Sequence, residues 1–76
     1  MSGRDPRVTP RAGDVLRHKV GGRTREVSSV IRNSVSTWDV SVDGVRRSNV
    51  ISTLRQWRHW AAGAEVLRTA EEVQGG

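Results

Sequence analysis

Residues 35 to 51 read Val35-Ser36-Thr37-Trp38-Asp39-Val40-Ser41-Val42-Asp43-Gly44-Val45-Arg46-Arg47-Ser48-Asn49-Val50-Ile51. Ser36, Trp38, Val40 and Val42 fall on one side of an extended chain and Val35, Thr37, Asp39 and Ser41 on the other, the period-2 pattern of a half-buried strand. The first set holds the tryptophan, so Trp38 is expected to point into the core. Asp43-Gly44 between Val42 and Val45 is a tight hairpin signal, because a type I′ turn needs positive φ at both central positions. Two antiparallel neighbours follow, a third and a fourth strand.

Working outward, Gly13-Asp14, Gly21-Gly22, Arg32-Asn33-Ser34 and Gly63 punctuate the rest of the chain. The intervals 15–20, 25–31, 35–42 and 45–51 are rich in Val, Ile, Ser and Thr and read as short strands. From Ser52 the period changes. Ser52 or Thr53 can cap a helix over about 53–62, with Leu54, Trp57 and Ala61 on one face and Gly63 as its stop. Residues 64–68 then complete a fifth strand. Residues 1–11 hold Gly3, Pro6, Pro10 and three arginines with almost nothing apolar, and read as a flexible basic arm; residues 69–76 read as a flexible tail. The domain proper is expected over 12–68.

This order of strands, with a helical segment before the last and Gly13-Asp14-Val15 opening the first, resembles a small Src-homology-type (SH3-like) β-barrel. The resemblance covers about residues 12–68. It implies a mainly β, antiparallel five-stranded barrel or curled sheet, and a binding role: such barrels mostly bind peptides, methylated side chains or nucleic acid.

Seventy-six residues allow one domain, and a chain this short buries only about 60% of the surface that its unfolded form exposes. Without cysteine there are no disulfides, thiolate nucleophiles or Cys-based zinc sites, which fits a cytoplasmic location. No apolar run approaches the roughly 18 residues that span a membrane, so no membrane partner is expected. Thirteen Lys and Arg against eight Asp and Glu give a net charge of +5, and such a chain attracts polyanions.

Catalysis needs a nucleophile or paired titratable groups, and His18, His59, Asp14, Asp39, Asp43 and Glu26 show no spacing that joins them. No enzyme activity, metal, cofactor or small-molecule substrate is expected. Arg17 and Lys19 share one face of the first strand, and Arg23 and Arg25 one face of the second. If the two strands pair across Gly21-Gly22, the four cations form a basic stripe. Of Arg46 and Arg47, the alternation turns only one outward. In the helix, Trp57 is a core residue and Trp60 lies between the faces: either its ring packs on the barrel edge with the indole N–H left wet, or it forms with Arg58 or His59 a contact patch of the kind enriched at interface hot spots. The candidate binding residues are therefore Arg17, Lys19, Arg23, Arg25, Arg47, Arg58, His59 and Trp60. Two partners fit them: an acidic protein surface, or a nucleic-acid backbone contacted without base reading. The first is favoured, with Trp60 as its apolar anchor. In size and composition the chain also resembles accessory proteins of phages and mobile elements that act on host nucleic-acid-processing or defence complexes.

Overall fold

The computed structural model describes residues 4–74. Five strands, β1 (Val15–His18), β2 (Thr24–Ile31), β3 (Ser34–Val40), β4 (Arg46–Thr53) and β5 (Ala64–Arg68), form one sheet. Among the described residues there are also two helices: α1 (Leu54–Ala61) between β4 and β5, and α2 (Ala70–Gln74) after β5. The sheet order is β4-β3-β2-β1-β5, with every described pairing antiparallel. Strands β4 and β5 are its two edges and do not meet, so the sheet curls without closing into a barrel.

The register decides which face is inner. Val27 stands opposite Thr37 and Thr37 opposite Val50, while Leu16 stands opposite Val66. Leu16, Val27, Val35 and Ala64 from this face are buried against Trp57 and Ala61 of α1, with Leu54, Trp60, Val30 and Val66 packed around them. Trp38 pairs with Glu26 and Asn49 on the opposite, outer face, where it is only half-buried. The alternation in β3 is as expected, but its polarity is inverted. Val35 and Thr37 are the small side chains that let the Trp57 ring close onto the sheet.

The β3–β4 connection also differs from a two-residue type I′ turn. The Ser41 N–H donates to the Val45 carbonyl and the Gly44 N–H to the Ser41 carbonyl, and of the loop residues only Gly44 has positive φ, at 86°. This is a three-residue loop in which a turn is followed by a left-handed glycine. The helix begins as expected: the Thr53 hydroxyl accepts from the Gln56 N–H and the Gln56 side chain accepts from the Thr53 N–H, a capping box. Gly63 follows α1 for a steric reason rather than as a left-handed stop, because a Cβ there would lie 2.7 Å from Nε2 of His18.

The terminal segments are placed differently from the expected arm and tail. Pro6 and Pro10 are buried, and the Trp57 indole N–H donates to the Pro6 carbonyl at 3.0 Å. Asp14, with no exposed surface, accepts two bonds from the Arg4 guanidinium, one from the Arg11 N–H and one from the Ala70 N–H. Arg4 reaches on to Glu71. One buried carboxylate thus fastens residues 4–11 and α2 to the start of β1. The parts of the arm and tail over residues 1–3 and 75–76 lie outside the described residues.

Candidate binding surface

The β1–β2 register separates the expected basic stripe into two faces. Arg17 stands opposite Thr24 and Leu16 opposite Arg25, so Arg17 lies on the outer face and Arg25 on the inner. Arg17 is paired with Glu65 at 2.9 Å, and Arg23 lies 3.8 Å from Asp39. Arg25 stacks its guanidinium 4.6 Å from the centroid of Trp60, and burial lowers its pKa. Lys19 remains exposed in the β1–β2 turn, which its backbone N–H ties to the Gly63 carbonyl. Pairing a cation with a carboxylate leaves little field to steer a polyanion, so Arg17 and Arg23 contribute weakly to any anion site.

Trp60 is half-buried between Trp57 and His18, each with ring centroids 5.4 Å away. Its ring closes one end of the core beneath Arg25, the packed one of the two arrangements expected for it. Among the described residues the exposed large apolar side chains are others: Val8, Val20, Ile31, Val42, Val45, Ile51 and Leu67.

A different surface keeps its charge. From Gly44 to Ala64 the chain carries no Asp or Glu, yet it holds Arg46, Arg47, Arg55 and Arg58. Arg46 is neutralised by Glu26, which it grips through both carboxylate oxygens and which Arg68 approaches from the other side. These arginines hold the Glu26 carboxyl below its ordinary range, Arg46 through its hydrogen bonds first. Arg47 and Arg55 are exposed and make no ion pair among the described residues. Arg58 donates to the Val8 carbonyl, with His59 exposed beside it. Of the residues singled out from sequence, Arg47, Arg58, His59 and Trp60 belong to this acid-free stretch, and Trp60 is packed against the core. Arg55, Arg32, Asn49 and Ile51 were missed. The run of 21 residues without a carboxylate was readable in the sequence and is the signal that finds Arg55.

Arg32 joins the same surface from the β2–β3 turn, where it holds φ at 54° in a two-residue connection between the paired Ile31 and Ser34. A groove of about 570 Å³ on the outer face is lined by Ile31, Ile51, Arg32, Asn33 and three serines, without a carboxylate. Ile51 keeps 71% of its surface exposed there.

No known protein family, characterised protein or solved structure matches the chain.

A second concavity, of about 520 Å³, lies on the outer face between Val15, Val40, Glu26, Arg46 and Arg68. Its two arginines share the single Glu26 carboxylate. Among the described residues no three His, Asp or Glu side chains come together as a metal site would require. No helix among them is long and apolar enough to cross a membrane.

Proposed function

We propose that this chain is a non-catalytic binding module whose partner is an acidic protein surface. The observation that carries the reading is the acid-free stretch from Gly44 to Ala64, where unpaired Arg47 and Arg55 stand on the same strand–helix unit as the exposed Ile51. Nucleic-acid backbones need cations and little exposed aliphatic surface, whereas a protein interface needs an apolar anchor beside its charges. Ile31 and Ile51 supply that anchor. The strand order, with a helix before the last strand, is compatible with a small Src-homology-type barrel left open, and that likeness also favours binding.

The test compares two ligands. The chain is titrated with random-sequence duplex DNA at two salt concentrations, and with the acidic protein it captures from nuclease-treated cytoplasmic extract. The reading expects weak duplex binding, tight binding of the protein, and loss of the latter on Ile51→Ser. Duplex binding that is tighter than protein binding, falls with salt at about 0.9 log units per phosphate contact, and ignores Ile51→Ser would establish the nucleic-acid alternative instead.

A further inference from the structure

The ladder of the sheet fixes which backbone groups of β4 are free. The Gly13 N–H donates to the Val27 carbonyl and the Val27 N–H to the Asp14 carbonyl, so the backbone of Val27 faces β1 and turns away from β3. In an antiparallel sheet the backbone groups of successive residues alternate in direction. Thr37, opposite Val27, therefore faces β4, and its partner Val50 faces back to β3. The same alternation directs Ser48 and Ser52 to β3. The N–H and C=O groups of Asn49 and Ile51 are left facing the open edge, and no loop or cap among the described residues bonds to them.

Natural sheets blunt such edges with short strands, bulges, proline or covering segments. The other edge, β5, has five residues and an irregularity within its pairing to β1. Strand β4 has eight residues, and its register shift lies at its start, opposite Asp39 and Val40, leaving Ser48 to Thr53 regular. That regular run borders the Ile31/Ile51 groove on the outer face. On the inner side α1 begins directly after β4 and carries Arg55.

We infer that β4 is the docking edge of the module, and that its ligand is an extended, alternating acidic and aliphatic segment of another protein, which adds to the sheet as a sixth strand. The added backbone pairs with Asn49 and Ile51. Its aliphatic side chains fall over Ile31 and Ile51, while the alternate carboxylates face Arg47 and Arg55. A second copy of this chain is the poorer occupant, because β4–β4 pairing would bring two acid-free, arginine-bearing stretches against each other. The inference rests on the acidic-partner reading and adds to it the edge and the conformation of the ligand.

Amide hydrogen exchange on the whole chain tests it, with a synthetic peptide of alternating Glu and Val, about eight residues long to match a strand, as probe. At saturation the exchange of the Asn49 and Ile51 amides should slow by at least about tenfold, and a Lys–Val peptide should have no such effect. Ile51→Pro removes an outward N–H at an edge position where proline is tolerated, and should abolish binding of the peptide; Ile51→Ser, which keeps the N–H, should only weaken it. Binding with protection elsewhere than β4 overturns the strand addition and leaves the acidic-partner reading standing. Failure of the peptide to bind overturns the strand addition too, and capture of an acidic protein that is lost on Arg47→Gln with Arg55→Gln then shows the broader reading intact. Protection of β4 that grows with protein concentration and needs no peptide assigns the edge to self-pairing.

Discussion

Asp14→Ala removes the carboxylate that joins three parts of the chain, and its cost follows from what is left behind. The two oxygens of Asp14 accept Arg4 Nη1 and Nη2 at 2.7 and 2.9 Å, the Arg11 N–H at 2.7 Å and the Ala70 N–H at 2.7 Å. After truncation, a guanidinium whose side chain is only 12% exposed keeps Glu71 but loses its buried partner, and the Ala70 N–H is orphaned. Breaking a buried pair from one side costs about 3 to 5 kcal/mol. At about 0.05 to 0.15 kcal/mol per residue, a chain of this length has only about 4 to 11 kcal/mol in total. The variant should therefore be largely unfolded or close to it. Arg4→Ala should cost less, about 2 kcal/mol, since Asp14 retains two backbone donors. Urea titration followed by tryptophan fluorescence reads both, because release of Pro6 bares the Trp57 indole. An Asp14→Ala midpoint that implies a loss below about 1 kcal/mol would refute the view that this carboxylate holds the termini in place.

The two central tryptophans should separate sharply: Trp57→Ala costs about 3 to 5 kcal/mol, whereas Trp38→Ala, on the outer face, costs about 1, and similar thermal midpoints for both would contradict the inner-face assignment. Acid should loosen the terminal segments. Glu71, held down to about 2 by hydrogen bonds from Arg4, has a folded-state pKa below its ordinary 4.5, so its contribution is complete above pH 4.5 and is lost as pH falls towards 2; a thermal midpoint constant across that window would contradict it. Arg32→Gly should leave stability unchanged or raise it by up to about 1 kcal/mol, since glycine holds φ near 54° without strain, while affinity for the acidic partner falls; denaturation and titration of the same variant check both halves.

Strand number, the order of elements along the chain and the helix before the last strand were legible because period, turn residues and a helix cap all act locally. The Thr53 cap and the burial of Trp57 follow from residues a few positions apart. The inner face of β3 was not legible, since an alternating strand fits either way up until a partner chooses. Trp38 is the larger side chain, but the space under α1 is already filled by Trp57, and Val35 and Thr37 are what fit beneath it. The basic stripe failed on a one-residue question of register: pairing Leu16 with Arg25 sends Arg17 to the other face. Asp14 was visible only as part of a turn, because its partners Arg4 and Ala70 lie 10 and 56 residues away. An arm without apolar pattern docks here through hydrogen bonds and two prolines, a signal that hydrophobic periodicity does not carry.

The central claim is that charge acts where it is unpaired, on β4 and α1, and the direct test compares two variants that each remove two positive charges. Arg47→Gln with Arg55→Gln takes away unpaired cations; Arg17→Gln with Arg23→Gln takes away cations that face Glu65 and Asp39. Both should fold, since the affected side chains are exposed. Titrated with the captured acidic protein at one salt concentration, the first variant should bind at least about tenfold more weakly than wild type, a loss of about 1.4 kcal/mol, and the second within about twofold. Equal losses in the two would show that net charge alone governs binding, and a greater loss in the second would return the site to the β1–β2 face.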